Sequence, residues 1–258
     1  MPIEDVELSL VLPAYNEALR LPPYLEEVRK HLDGHYAGRY EVIVVDDGSG
    51  DGLAEFLDRL QAGWPQLRTV RHRHNQGKGA AVRSGVLAAG GRRLLFADAD
   101  GATPIAEEAR LSAAIAAGAQ LAVGSRLVPA TGVRRARVWS RALLGRLFAA
   151  VARSQFRLSV RDPQCGFKMF QREAGQRLFS LVREPGFLFD LELLFLAQRL
   201  GYVTVEVPIN WQEVPGGHFR PTRSILQILT DVRRLRRRLW GEEGQRKAEG
   251  EGRKAEGG

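Results

Sequence analysis

Cysteine is nearly absent from the chain. Cys165 stands alone among 258 residues, which excludes an intrachain disulfide framework and a cysteine-rich zinc site. Histidine is scarce too, with five residues, His31, His35, His72, His74 and His218, and a histidine-based metal site is not expected. Long hydrophobic runs are missing: none reaches the roughly 18–20 uncharged residues of a transmembrane helix. The longest helical apolar stretch, from Val138 to Leu158, is interrupted by Arg141, Arg146 and Arg153. The first residues, M-P-I-E-D-V-E, are acidic and lack the basic start of a signal peptide. These absences lead to the expectation of a cytoplasmic protein that touches a membrane surface peripherally. No G-x-G-x-x-G follows the first strand candidate and no G-x-x-x-x-G-K-[ST] occurs, which argues against a dinucleotide dehydrogenase and a P-loop enzyme.

The composition is that of an ordinary globular chain, with 44% hydrophobic and 26% charged residues, and is neither disordered nor collagenous. Lysine is rare, so arginine carries the net charge of +8. Eight arginines and no acid lie between Arg134 and Arg161, and seven arginines against Asp231 between Arg220 and Arg238. Such blocks suit phosphate groups, anionic lipid or nucleic acid; a solvated helix face would read the same way. Against nucleic acid, the aromatics are not interleaved with the arginines in any recognisable binding module, so no nucleic-acid partner is expected.

Up to about residue 125 the chain alternates strands and helices. Strands are expected at Leu8–Leu12, Tyr40–Val45, Leu67–Arg71, Arg93–Ala97 and Leu121–Gly124. Helical patterns cover Glu17–Leu32, Asp51–Ala62, Lys78–Ala89 and Pro104–Ala117. This alternation predicts an α/β fold with a mostly parallel sheet flanked by helices, with ligands beyond the carboxyl ends of its strands. Further on, a strand is expected at Gly166–Phe170, helices at Arg172–Leu181 and Leu188–Leu200, and a strand at Val203–Val207. Two amphipathic basic helices are expected at Val138–Arg157 and Ile225–Trp240. A single domain over 1–240 is expected, followed by a low-complexity Gly/Glu/Lys/Arg/Ala tail at 241–258 that should be disordered.

The strand ends carry the chemistry. Asp98-Ala99-Asp100 follows an apolar run; two carboxylates so spaced can approach one divalent cation, and hard oxygen ligands suit Mg²⁺ or Mn²⁺. That metal would stabilise a leaving nucleotide diphosphate. The same D-x-D-G also suits a plain turn. Asp46-Asp47-Gly48-Ser49 could bind a base or ribose, or supply a helix cap at Ser49 or Asp51. Tyr15 could pack on a base and Glu17 bond a ribose, unless Pro13–Glu17 is an ordinary turn capped at Asn16. Asn75-Gln76-Gly77-Lys78-Gly79 opens a helix and could present N–H groups to an anion, with Lys78 as a substrate-binding candidate.

Taken in order, V-L-P-A-Y-N-E (11–17), V-V-D-D-G-S-G-D-G (44–52), N-Q-G-K-G-A-A-V-R-S-G (75–85), F-A-D-A-D-G-A-T (96–103) and G-S-R (124–126) resemble glycosyltransferase family 2, the inverting enzymes of GT-A fold. D-P-Q-C-G-F-K-M-F (162–170), F-D-L-E-L-L (189–194) and N-W-Q-E (210–213) resemble its dolichyl-phosphate β-glucosyltransferase group. The polyprenyl-phosphate mannosyltransferases are relatives whose D-A-D turn continues differently. The resemblance spans about residues 8–238. It implies transfer of glucose from UDP-glucose to a dolichyl or polyprenyl phosphate, giving a β-linked lipid-phosphate sugar. By matching positions, Pro13, Tyr15, Glu17 and Asp46 would hold the nucleoside, with Asp47 nearby. Asp98 would face the nucleotide and Asp100 the metal, and Arg126 would hold the acceptor phosphate, assisted by Arg137 and Arg141. Asp162, Gln164 and Cys165 would flank the acceptor side, Cys165 equally as a small buried residue.

A phosphate acceptor is already anionic near neutral pH and needs little from a base; if one is used, Asp162 is the candidate. Arginine offsets the repulsion between an anionic nucleophile and an anionic donor. The acceptor being a membrane lipid, the two basic helices are expected in the headgroup layer of an anionic surface on the cytoplasmic side. The alternative is that these helices pack on the sheet or on a second copy of the chain, and an integral-membrane partner could supply the anchor. The rival readings are GDP-mannose as donor, or a glycan as acceptor.

Overall fold

The computed structural model describes residues 5–136, 150–214 and 230–241. The chain separates into two compact units, Met1–Gly216 and Gly217–Gly258.

The first unit is built on seven strands, β1 (Leu8–Ala14), β2 (Tyr40–Asp46), β3 (Leu67–Arg71), β4 (Arg93–Ala97), β5 (Leu121–Ser125), β7 (Phe167–Gln171) and β8 (Thr204–Pro208). Their order in the sheet is β3-β2-β1-β4-β7-β5-β8. All neighbours are parallel except β7, which runs antiparallel to both β4 and β5. A two-residue strand β6 (Arg135–Ala136) pairs in parallel with β9 (Trp211–Gln212) in a separate ribbon. No periodicity marks pieces that short.

The helices are α1 (Leu21–Tyr36), α2 (Leu53–Ala62), α3 (Lys78–Ala88), α4 (Glu108–Ala116), α6 (Arg172–Leu181) and α7 (Phe189–Arg199). A further helix, α5, is described at 150–156. β1 and β2 are buried along almost their whole length, as expected of parallel strands covered on both faces. Leu8, Leu10 and Leu12 face the main core with Val28 and Leu32 of α1 and Leu53 and Leu57 of α2. The opposite face of β1 meets α3 so closely that a methyl group on Gly85 would collide with Val11 and lie 3.0 Å from Val45.

Two expected boundaries move. α1 begins at Leu21 rather than Glu17, because Asn16 takes a left-handed φ of 53° and Pro22 and Pro23 are suited only to a first helical turn. Pro104 does not start a regular helix; Ile105–Glu107 forms a 3₁₀ turn ahead of α4. Of the helices expected at Val138–Arg157 and Ile225–Trp240, residues 138–149 and 225–229 lie outside the described residues. The expected disorder of 241–258 likewise falls outside them from residue 242 onward.

In the second unit the described residues 230–241 are helical, α8. Arg233, Arg234, Arg236 and Arg237 are exposed. Val232, Leu235 and Leu239 form an apolar stripe along the helix and are buried.

Candidate active site

The chain passes from β1 outward to β2 and β3, then returns to β4 on the other side of β1. A parallel sheet opens a crevice beyond its carboxyl ends where the order reverses. The ends of β1, β2 and β4 deliver Tyr15, Asp46 and Asp98 to that edge.

Tyr15 is half-exposed just past β1. Pro13 is still within the strand, opposite Val45 of β2. Glu17 is buried and paired with Arg20, whose Nε lies 2.7 Å from Oε2. The two turns beside it are laced together: the Asn16 N–H donates to Ser49 Oγ, Gly50 N–H to Asn16 Oδ1, and Ala18 N–H to Asp51 Oδ2. Asp51 Oδ1 also accepts from the Leu53 N–H at 3.2 Å, while the N-cap of α2 is Gly52, which makes no side-chain cap hydrogen bond.

Asp46 is buried, and its Oδ1 accepts the Ser49 N–H at 2.9 Å. Asp47 is buried as well. Its Oδ1 accepts from the Gln76 N–H at 2.9 Å and bonds His72 Nδ1 at 2.6 Å; its Oδ2 accepts the Gly77 N–H at 2.8 Å. Asp47, expected near the nucleoside, therefore clamps the loop ahead of α3. Gly48 has φ 75°, and any Cβ there would lie 2.6 Å from the His74 carbonyl carbon, so that this turn requires glycine.

The clamp sets the start of α3, where Lys78 emerges. Its ammonium lies 2.6 Å from Asp98 Oδ1 and over the rings of Phe96 and Phe187 at 5.5 and 5.9 Å. Burial works against the charge, but Asp98 and then Asp190 hold the pKa above the ordinary lysine value. Asp98 follows β4, and its N–H donates to the Gly166 carbonyl at 2.9 Å. Gly166 precedes β7 and leaves space that the Asp98 carboxylate fills. Asp100 accepts the Ala102 N–H at 3.0 Å. Its pKa is pushed up by burial and by the negative charge of Asp98.

On the far side, Arg126 follows β5. Its Nε and Nη2 donate to Asp162 Oδ2 and Oδ1, both at 2.8 Å, and its backbone N–H donates to Oδ2 at 2.8 Å. The guanidinium also stacks 5.6 Å from the Trp211 ring centre. Burial alone would raise the Asp162 carboxyl; the Arg126 charge and its hydrogen bonds hold it below the usual range instead. A carboxylate so engaged is a weak proton acceptor, so the geometry counts against Asp162 as a base. Arg126, expected to meet an acceptor phosphate, is already half of a fork-to-fork pair. Gln164 adds its carbonyl to Arg126 at 3.3 Å and donates from Nε2 to the Phe187 carbonyl at 3.1 Å. Cys165 is buried in the core, its thiol pushed up to about 12 by burial. Arg137 and Arg141 lie outside the described residues.

Lys168 and Asp190 escaped a reading by spacing. Lys168 is fully buried on β7, its ammonium 2.6 Å from Asp190 Oδ1. A lysine among Phe, Met and Phe in F-K-M-F is a signal for a buried partner, but only the fold says which one. The chain also carries one H-x-x-x-H spacing, His31 and His35 on α1. Those rings stack at 4.2 Å, with His31 bonded to Glu108 and His35 to the His31 carbonyl. Among the described residues no group of three or more His, Cys, Asp or Glu side chains is arranged to hold a metal, and none of the helices is long and apolar enough to cross a membrane.

The family model for glycosyl transferase family 2 matches residues 9–179. A dolichyl-phosphate beta-glucosyltransferase of Drosophila melanogaster is 38% identical over 240 residues, which cover 88% of this chain and 74% of that protein. The Homo sapiens dolichyl-phosphate beta-glucosyltransferase is 35% identical over 244 residues, covering 90% and 75%. Among solved structures, glucosyl-3-phosphoglycerate synthase from Mycobacterium tuberculosis, in complex with Mn²⁺, UDP-glucose and glycerol 3-phosphate, aligns with a TM-score of 0.59 at 25% identity, covering 88% of this chain and 76% of that one. A Pyrobaculum calidifontis mannosyltransferase in complex with GDP-Man and Mn²⁺ aligns with a TM-score of 0.57 at 20% identity over 84% and 59%, a likeness of fold alone. The expected GT-A architecture is borne out.

Proposed function

The chain belongs to glycosyltransferase family 2, and on that footing we propose that it transfers glucose from UDP-glucose to a dolichyl or polyprenyl phosphate with inversion at the anomeric carbon. The observation that carries this reading is the Lys78–Asp98 pair at the carboxyl end of β4, with Asp100 two residues on. The similarity to dolichyl-phosphate beta-glucosyltransferases over about nine-tenths of the chain supports the sugar and the acceptor class.

Asp98 and Asp100 fit a divalent cation. They are hard carboxylates separated by one residue, and Asp100 is pushed up by burial and then by the charge of Asp98, a repulsion that a bound divalent cation would relieve. They would hold Mg²⁺ or Mn²⁺, which would supply charge stabilisation for the departing diphosphate. Lys78 is the chain's own cation at that place and would bind the diphosphate. Tyr15 and Asp46, at the ends of β1 and β2, would hold the nucleoside. The acceptor oxygen forms its bond to the anomeric carbon from the face opposite the diphosphate, whose oxygen leaves with the bonding pair. Near neutral pH the acceptor is largely dianionic, so no general base is required. Arg126 would be the cation on the acceptor side, raising the electrostatic potential there and offsetting repulsion between the two anions, with part of its charge balanced by Asp162.

The test is product formation with Mg²⁺ and a short polyprenyl phosphate, offering UDP-glucose, UDP-galactose, UDP-N-acetylglucosamine and GDP-mannose in parallel. Metal-dependent transfer from UDP-glucose is expected, reduced by at least about a hundredfold in Asp100→Asn. Transfer from GDP-mannose alone would overturn the sugar and keep the acceptor. Absence of lipid product with every donor would overturn the acceptor.

A further inference from the structure

Lys168 and Asp190 form an ion pair behind the donor residues, and nothing in the reaction as described uses it. Lys168 is fully buried and donates to Asp190 Oδ1 at 2.6 Å and to the Cys165 carbonyl at 2.5 Å. Its ammonium lies 5.9 Å from the centre of the Phe96 ring, and the Lys78 ammonium lies 5.5 Å from the centre of the same ring. Phe96 and Lys168 are direct partners across the β4–β7 ladder. Asp190 sits in the first turn of α7, buried, and its charge acts on both lysines.

The backbone brings the two helix starts together. Ala80 N–H donates to the Pro185 carbonyl at 3.1 Å. A Cβ on Gly79 would stand 2.7 Å from Phe189 Cβ and collide with the Glu184 carbonyl. Glu192 in turn holds the Glu184 N–H at 2.6 Å and the Arg183 N–H at 3.1 Å. The start of α3 is thus pressed against the segment leading into α7, and Lys78 and Asp190 are carried by that contact. For stability alone an apolar pair of similar volume would serve as well as a buried ion pair, or better.

We propose that Asp190 is a positioning residue which, with Lys168 as its counter-charge, holds the Lys78 ammonium at the Asp98 carboxylate in readiness for the donor diphosphate. This rests on the reading of Lys78 as a diphosphate ligand. Asp190→Asn would leave Lys168 buried and unpaired and is prone to unfold the chain. The pair is therefore removed as a unit, in Lys168→Met/Asp190→Leu.

The readouts are the thermal transition of the free protein and UDP affinity by calorimetry in the presence of Mg²⁺, with Lys78→Met and the triple variant alongside. The double variant is expected to keep a cooperative transition and to bind UDP about tenfold more weakly. Lys78→Met should weaken UDP at least as much, and the triple variant should match Lys78→Met, because the pair acts through Lys78. Unchanged UDP affinity in the double variant would overturn the proposal, as would losses that simply add in the triple variant. Unchanged affinity in Lys78→Met would overturn the diphosphate reading of that lysine, and the proposal with it.

Discussion

Gly166 has no room for a side chain, because the carboxylate of Asp98 occupies the space its Cβ would take. Gly166→Ala should displace Asp98 and lower transfer by about a hundredfold or more, with an unchanged far-ultraviolet circular dichroism spectrum; near-normal turnover would remove Asp98 from the reaction. The Arg126–Asp162 ion pair on the other flank yields a pH prediction. Asp162 is depressed in the folded state by Arg126, so its contribution is present above the unfolded value of about 3.9 and is lost as pH falls through the folded value. Asp162→Asn should cost about 3 kcal/mol at pH 7. The gap from the parent should narrow as denaturation is followed below pH 4, and a gap independent of pH would show that the charge is not what Arg126 needs. The D-A-D turn stood out in the sequence through its place among the ordered family motifs, since D-x-D-G alone equally suits a plain turn. The Lys168–Asp190 pair did not, since its members are 22 residues apart and share no periodic pattern.

Among the elements, α3 shows how a weakly patterned helix is placed. Its residues Lys78–Ala88 have little amphipathic character, and small side chains take the place of a hydrophobic stripe. Gly79 lets the helix approach Phe189, and Gly85 lets it approach Val11 and Val45. Gly85→Ala gains helix propensity but overpacks that contact. The net expectation is a loss of about 1–3 kcal/mol, seen as a thermal transition lowered by about 2–10 °C. UDP affinity should survive in the folded fraction, because Gly85 lies two turns from Lys78. The alternation of strands and helices was legible from β-branched runs and turn residues, whereas the antiparallel insertion of β7 between β4 and β5 was not. A strand's direction depends on the path of the connection before it, and no local pattern records that path.

For the molecule as a whole, the arginine excess is the feature that residue and element do not explain. Arg153, Arg157 and Arg161 belong to the first unit, and Arg233, Arg234, Arg236 and Arg237 line the exposed side of α8 in the second. We expect any attraction of these arginines to a membrane to act through their charge. Each basic residue near an anionic surface contributes about 1 kcal/mol. Arg233→Glu/Arg237→Glu should therefore weaken co-sedimentation with phosphatidylserine-containing vesicles by at least about tenfold. Neutral vesicles should retain little of either protein, and salt should reduce binding to the anionic ones. Binding indifferent to charge and salt would count against this surface as a lipid contact.

By itself the sequence determined the α/β class, the positions of most strands, the acidic turn at 98–100 and the membership of glycosyltransferase family 2. These follow from local chemistry, in which apolar runs need burial, glycines permit tight turns, and a short ordered motif repeats a reacting geometry. Tertiary structure decided which of the named residues remain open to a ligand. Asp46, Asp47, Glu17, Arg126 and Asp162 all stand near the strand ends, yet each has a partner from its own chain. A carboxylate or guanidinium exerts its charge on whatever lies within a few ångströms. Those neighbours are brought close by strand order and helix contact across tens of residues, a relation that spacing along the chain does not contain.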